Sequence, residues 1–152
     1  MPAPAFDLIV CPIDFSDCSA NALRWAAWLA TSLGKPLRLI HAVHVDMPSY
    51  VPAIQRQDIL DQWTQVREQA ESHLRDWASR NLPAGLSVQY EVSDAPPVEA
   101  IIAAAHRGNA CVVMGTHGRT GWRQVWMGSV TTRTIEQAKV PVLAIPPDKS
   151  VC

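Results

Sequence analysis

The chain has 152 residues, of which 48% are hydrophobic and 18% are charged, and its formal net charge is −1. This length predicts a single domain, residues 1–152, with a core of its own. The near-neutral charge argues against a nucleic-acid-binding surface, which requires an excess of basic residues. No apolar run approaches the roughly 20 residues of a membrane-spanning helix, so no membrane partner is expected.

Short aliphatic runs alternate with longer segments of helical period, a pattern typical of a parallel sheet covered on both faces. Ser16 or Asp17 is a suitable N-cap for the first helix, and Gly34 is a suitable C-terminal stop. Two prolines argue against a long helix in residues 47–55. In chain order, the predicted elements are a strand at 7–13, a helix up to 33, a strand at 36–43, a helix at 57–80, a strand at 86–92, a helix at 98–107, a strand at 111–114, a helix at 130–139 and a strand at 140–145.

Strands separated by helices predict an α/β fold, a single doubly wound five-stranded parallel sheet with helices on both faces. The strand at 86–92 alternates apolar and polar residues, which places it at an edge of the sheet. The helix at 57–80 carries its apolar residues on one stripe. That stripe consists of Leu60, Trp63, Ala70, Leu74 and Trp77.

A glycine motif follows the fourth predicted strand. Gly115 and Gly118 are separated by two residues, and Gly128 and Ser129 then open the last predicted helix. Glycine allows a ligand to approach the backbone closely, and the N–H groups of a helix N-terminus favour a phosphate. The motif therefore predicts a phosphate-binding loop. The alternative is that the glycines only end a strand and that Ser129 caps its own helix.

A polar cluster around Asp14 follows the first predicted strand. A carboxylate at the end of a buried strand can accept hydrogen bonds from ribose hydroxyls, although it can also cap the next helix. In doubly wound sheets, ligands bind beyond the carboxyl ends of the strands, where the strand order reverses. If Asp14 and the glycine motif line one pocket, strands one and four are neighbours. The predicted order is therefore 3-2-1-4-5, and the competing flavodoxin-like order 2-1-3-4-5 would separate them.

The residues around this pocket offer little catalytic chemistry. The loop lacks the Gly-Lys-Ser/Thr of a P-loop, so no lysine reaches the outer phosphates, and no nucleophile with an adjacent base is evident. Arg119 and Arg123 either supply positive charge to the site or are solvated loop residues. His117 lies within the phosphate loop, where it either contacts the ligand or is only part of the loop. His41 and His44 face opposite sides of a strand, so we expect no shared metal ion and interpret His41 as a core or partly buried histidine.

Five segments of the chain resemble the universal stress protein family, specifically its ATP-binding class, in which the second part of the glycine motif is intact. They are LIVCPIDFS at 8–16, IHAV at 40–43, VMGTHGRTG at 113–121, GSV at 128–130 and VPVLAI at 140–145. The resemblance implies that ATP binds together with Mg²⁺ or Mn²⁺, with the ribose and adenine held by Asp14 and by the backbone around Pro12 and Val43. It implies that the phosphates are held by Gly115, Gly118, Gly128, Ser129 and Val130. The predicted nucleotide-binding set is Pro12, Ile13, Asp14, Val43, Met114, Gly115, His117, Gly118, Arg119, Gly128, Ser129 and Val130.

The function that this resemblance implies is a stress-response or regulatory module that binds ATP and hydrolyses it slowly at most. One alternative is a weak ATPase or nucleotidyl-transferring enzyme on the same scaffold. Another is a nucleotide-free module that binds a protein partner through Trp122, Trp126 and the loop at 47–55. Alternatively, the two tryptophans pack over the pocket as a lid, or they simply fold back onto the helices.

The last predicted strand indicates a homodimer. The resemblance implies a dimer, since members of that family usually pair their last strands, and residues 141–145 form an apolar edge strand with no charged residue to protect it from pairing. The N-terminus resembles no secretory signal. The cysteines at positions 11, 18, 111 and 152 are scattered rather than arranged as a disulfide framework, which is typical of a reducing cytoplasm.

Overall fold

The computed structural model describes residues 5–44, 53–118 and 127–148. Within these residues, strands and helices alternate along the chain. They are β1 (Leu8–Pro12), α1 (Asp17–Leu33), β2 (Leu37–Ala42), α2 (Ala53–Asn81), β3 (Val88–Ser93), α3 (Pro97–His106), β4 (Ala110–Gly115), α4 (Ser129–Gln137) and β5 (Val142–Ile145). None of the described helices combines the length and the apolar character needed to cross a bilayer.

The five strands form one parallel sheet in the order β3-β2-β1-β4-β5. This result confirms the predicted α/β fold, the strand order and the edge position of β3. β1 lies in the centre, where Val10 is opposite Arg38 of β2 on one side and Val112 of β4 on the other. Because all the strands are parallel, the carboxyl ends of β1 and β4 lie side by side at one edge of the sheet.

Helices cover both faces of the sheet, as predicted. Successive strand residues point to opposite faces, so the adjacent Ile9 and Val10 belong to two different clusters. Ile9 packs with Leu23 of α1 and Leu74 of α2. Val10 belongs to the cluster on the other face, where it packs with Ala104 of α3. Val130 of α4 packs against this second cluster. The central strand is therefore buried on both sides and fixes the position of the segment that follows it.

Both predicted ends of α1 are confirmed. The Ser16 side chain caps the helix by accepting a hydrogen bond from the backbone N–H of Ser19 at 3.1 Å. At the other end, Gly34 adopts a left-handed conformation with φ 61°, and its N–H is donated to the last carbonyls of the helix. Glycine suits this position because a Cβ there would be strained.

The predicted start of α2 was wrong, and its apolar stripe is only partly buried. The helix begins at Ala53, within the segment predicted as a loop, directly after Pro52 in the sequence. Proline disfavours a helix before it but is compatible with the first turn of one. The apolar stripe is buried only toward its end, since Leu74 is fully buried whereas Leu60 is 52% exposed. A helix of 29 residues is about 44 Å long and a six-residue strand only about 20 Å. The helix is therefore about twice as long as the strands beneath it, which leaves Leu60 near its start exposed.

Apart from the start of α2, the predicted bounds lie within two residues of those observed. At β5 the difference has a clear cause. The strand begins at Val142 rather than at Val140, because Pro141 has no N–H to donate to the ladder. The Pro141 carbonyl still accepts a hydrogen bond from Val112 N at 2.9 Å. The residues that enter β5 are thus held against β4 without belonging to the strand.

Candidate functional site

A cavity of about 410 Å³ opens at the carboxyl edge of the sheet, where β1 and β4 are neighbours. Its wall combines the turn after β1, the glycine motif after β4 and the start of α4 with residues of β2 and α3. This is the edge at which doubly wound sheets bind ligands. The volume falls in the range of about 300–1,000 Å³ that is usual for small-molecule sites.

The turn after β1 presents Asp14 to this cavity. One carboxylate oxygen of Asp14, Oδ1, accepts hydrogen bonds from the backbone N–H of Ser16 at 3.0 Å and from the Ser16 hydroxyl. Ser16 also caps α1, so the helix and the carboxylate are held by the same residue. The residue between them, Phe15, has φ 65°, a backbone conformation that is uncommon for a bulky side chain.

The turn after β1 and the loop after β4 meet at Gly118. A Cβ built on Gly118 would lie 2.8 Å from Oδ2 of Asp14. A Cβ on Gly115 would lie 3.2 Å from the carbonyl oxygen of Cys18 in α1. The absence of a side chain thus allows a close approach at both positions, of Gly118 to the turn after β1 and of Gly115 to α1. The two polar segments predicted from the sequence therefore share one cavity.

The N-terminus of α4 forms another part of the wall. Its N-cap is Gly128 rather than Ser129, and no side chain caps the helix. Two hydrogen bonds connect this end to the strand side of the cavity: Gly128 N donates to Thr116 O at 2.7 Å, and Thr131 Oγ1 donates to Gly115 O at 2.8 Å. The first-turn N–H groups carry the positive end of the helix dipole, so this part of the wall favours an anion.

The wall of the cavity carries both apolar and polar side chains. Ile40 of β2, Ile101 of α3 and Met114 of β4 supply buried aliphatic surface. The polar side chains on the wall are those of Asp14, Ser19, His41, His117, Ser129 and Thr131. Among the described wall residues, Asp14 is the only carboxylate, and none is a lysine or an arginine. The wall can thus accommodate a ligand that combines a flat apolar group with hydrogen-bonding and anionic groups.

Ten of the twelve predicted site residues line the cavity: Pro12, Ile13, Asp14, Met114, Gly115, His117, Gly118, Gly128, Ser129 and Val130. Val43 is not part of the wall; its N–H is donated to Ser93 O at 2.8 Å, which ties it to β3. Arg119 lies outside the described residues, as do Arg123, Trp122 and Trp126. In the loop predicted at 47–55, residues 47–52 also lie outside them.

Eight further wall residues were missed by the sequence reasoning: Ser19, Ile40, His41, Ala42, Pro97, Ala100, Ile101 and Thr131. Part of this set could have been found from the sequence, because the spacing of Pro97, Ala100 and Ile101 puts them on one face of a helix. His41 was interpreted as a core or partly buried histidine. It is partly buried, as expected, but it also faces the cavity, and its Nδ1 lies 2.7 Å from Ile13 O.

The described residues contain no group of three or more His, Cys, Asp or Glu side chains that could hold a metal ion. A divalent cation at this cavity would therefore depend on Asp14 and on the phosphate oxygens of a bound ligand. Mg²⁺ suits such a site, because it is commonly held by one or two carboxylates together with substrate phosphates.

Comparison with known proteins relates this chain to one family. The family model described as the universal stress protein family matches residues 5–146. The chain is 28% identical over 138 residues to universal stress protein MJ0531 of Methanocaldococcus jannaschii, covering 90% of this chain and 80% of that protein.

Two solved structures have the same fold. The structure of the hypothetical protein MJ0577 is 21% identical, with a TM-score of 0.75, covering 95% of this chain and 98% of its own. Universal stress protein UspA of Lactobacillus plantarum is 22% identical, with a TM-score of 0.70, covering 92% of this chain and 97% of its own. Since the family model spans nearly the whole chain, the protein belongs to the universal stress protein family.

Proposed function

We propose that this protein binds ATP in the 410 Å³ cavity as a single nucleotide-binding domain and acts as a stress-response or regulatory module. The observation that carries the proposal is the close approach of Asp14 to Gly118. A Cβ built on Gly118 would lie only 2.8 Å from Oδ2 of Asp14. This approach places a candidate ribose acceptor directly beside a candidate phosphate loop. A ligand that has both a ribose and phosphates fits this combination.

The proposed orientation follows from the chemistry of the wall. The adenine lies against Ile40, Ile101 and Met114, where apolar surface favours a flat base. The ribose hydroxyls donate hydrogen bonds to Asp14. The phosphates lie at the glycine motif and the N-terminus of α4, where the helix dipole favours negative charge and no side chain occupies the cap position.

Relatives with this fold support an adenine nucleotide as the ligand. One solved universal stress protein, 18% identical with a TM-score of 0.64, is in complex with cAMP. Another, from Archaeoglobus fulgidus, is 23% identical with a TM-score of 0.55 and is in complex with dAMP. The choice of ATP for this chain depends on its own glycine motif, which offers N–H groups to a longer phosphate chain than either of those ligands has.

Calorimetric titration of the purified protein with ATP and MgCl₂ tests the proposal. We expect saturable binding with one ATP per chain, and much weaker binding by the Asp14→Asn variant, which loses the charged acceptor. Asp94→Asn is the matched control, because Asp94 is exposed and is not part of the wall. The proposal would be refuted if millimolar ATP produced neither heat nor a shift in the melting temperature.

We also propose that ATP turnover is slow. The glycine motif lacks the lysine of a P-loop, and the sequence shows no nucleophile with an adjacent base that would support efficient phosphate transfer. A rate of phosphate release above roughly 1 s⁻¹, near the low end of ordinary enzymes, would favour an ATPase instead. The assay is phosphate release by purified protein, with the Asp14→Asn variant as the control for contaminating activity.

We further propose a homodimer formed by residues 141–145, in a cytoplasmic protein. β5 is an edge strand with four apolar residues, and Leu143 is 40% exposed. An apolar edge without a charge favours pairing with another strand. Sedimentation velocity at micromolar concentration should give a dimer, and Leu143→Lys a monomer. Val66→Lys is the control, since Val66 is equally exposed on α2. A wild-type monomer would exclude the dimer.

A further inference from the structure

The backbone around Asp14 is held in an unusual conformation. Phe15, the next residue, has φ 65°. For a bulky residue this conformation is unfavourable and persists only where the surroundings enforce it. Three rings surround the Phe15 ring: His41 at 4.6 Å, His73 at 4.4 Å and Trp77 at 5.7 Å between centroids. Side chains from β2 and α2 thus pack around the residue that directly follows Asp14.

One of these three residues also contacts the residue on the other side of Asp14. His41 Nδ1 lies 2.7 Å from the carbonyl oxygen of Ile13. A carbonyl can only accept, so Nδ1 carries the proton and donates. Ile13 is also fixed through its N–H, which is donated to Ile40 O at 2.8 Å. His41 therefore holds both neighbours of Asp14, one through a hydrogen bond and the other through ring packing.

We infer that His41 is the positioning residue that aims the Asp14 carboxylate into the cavity and thereby sets the preference of the site for ribose. This inference rests on the proposed nucleotide site. Asp14 Oδ1 is occupied by Ser16, and Oδ2 faces Gly118, so a small rotation of the turn would move the carboxylate away from a ribose. The N–H of His41 opposes that rotation because it anchors the carbonyl that directly precedes Asp14.

The test compares ATP with 2′,3′-dideoxy-ATP, which has the same base and phosphates but no ribose hydroxyl for Asp14. We expect the wild type to bind ATP about tenfold to a hundredfold more tightly than the dideoxy analogue, as hydrogen bonds to a charged group imply. His41→Phe retains a ring beside Phe15 but loses the donor, and should lose most of this preference, so that its loss of affinity for ATP exceeds any change in its affinity for the dideoxy analogue. His41→Asn keeps a donor at nearly the same place and should retain the preference.

His44→Phe is the matched control. His44 Nδ1 lies 2.9 Å from Asp94 O, a similar bond that does not involve the turn, and this variant should keep the wild-type preference. An equal loss of affinity for both nucleotides in His41→Phe would show a general structural role and overturn the inference, as would an unchanged preference. If the Phe variant does not fold, the Asn variant decides, and loss of its preference would contradict the role of the donor. A wild type that binds neither nucleotide would overturn the proposed function as well.

Discussion

The substitution Gly118→Ala perturbs the cavity at the point where its two polar segments meet. The added Cβ would lie 2.8 Å from Asp14 Oδ2, whereas an ordinary contact begins at 3.4 Å. The carboxylate must therefore move by about 0.6 Å or rotate. The backbone of Gly118 lies outside the left-handed region, so alanine is compatible with its conformation. The atom that must move is the end of a side chain, and we expect the fold to tolerate the change.

The effect on ATP binding should be large. A hydrogen bond to a charged group contributes about 1.5–3 kcal/mol, and about 1.4 kcal/mol corresponds to tenfold in affinity. Displacement of Asp14 should therefore weaken ATP binding by about tenfold to a hundredfold. The free energy of unfolding should change by less than about 1 kcal/mol, because only a side-chain end is disturbed. Calorimetric titration and thermal unfolding measure the two quantities separately.

Gly34→Ala provides the opposite pattern and serves as the control. Gly34 has φ 61°, and no atom lies within 4 Å of the place that an added Cβ would take, so alanine introduces backbone strain and no clash. That strain should lower stability by roughly 1–2 kcal/mol and leave ATP affinity unchanged, because Gly34 is at the far end of α1 from the cavity. The reasoning would be refuted if Gly118→Ala bound ATP like the wild type, or if both variants lost affinity in proportion to their loss of stability.

Three further predictions concern the surroundings of the cavity. Ser16→Ala removes the cap of α1 and should lower the free energy of unfolding by about 1 kcal/mol in denaturant titrations, and an unchanged midpoint would contradict the capping role. Thr131→Val removes the 2.8 Å bond to Gly115 O and should cost about 1 kcal/mol by the same measurement, with Thr132→Val as an exposed control. Burial raises the pKa of the Cys11 and Cys111 thiols, so iodoacetamide at pH 8 should modify neither in the native protein and both in guanidinium, as mass spectrometry of peptides would show.

The raised thiol pKa values also predict how stability depends on pH. The unfolded thiols ionise near their ordinary pKa of 9.0, whereas burial raises the pKa of both folded thiols, and the fully buried Cys11 remains protonated at pH 9. The unfolded state therefore binds fewer protons above this pH, and stability is lost as the pH rises beyond it. Below it the contribution of both thiols to stability is fully present.

The strand order could be predicted because the expected ligand pocket requires two particular strands to be neighbours. Asp14 and the glycine motif could line one pocket only if β1 and β4 were neighbours, and the sheet has them so. The ends of α1 could be predicted because capping by Ser16 and the left-handed conformation at Gly34 are local properties of the chain. Local chemistry and the geometry of parallel sheets thus account for most of the fold.

The parts that sequence reasoning missed depend on distances between elements. Leu60 fits the helical stripe of α2, but it is exposed because the helix is longer than the strands it covers. His41 is a polar residue in a buried strand, and only the position of the Ile13 carbonyl shows what its N–H contacts. A periodic pattern identifies which face of an element is apolar, but not how far the neighbouring element extends along it.

The most direct test of the central claim is a crystal structure of the protein grown with ATP and MgCl₂. We predict one nucleotide between the turn after β1 and the glycine motif, with its ribose at Asp14 and its phosphates at the N-terminus of α4. Density for ATP elsewhere on the protein, or a cavity that stays empty at saturating ATP, would contradict the account.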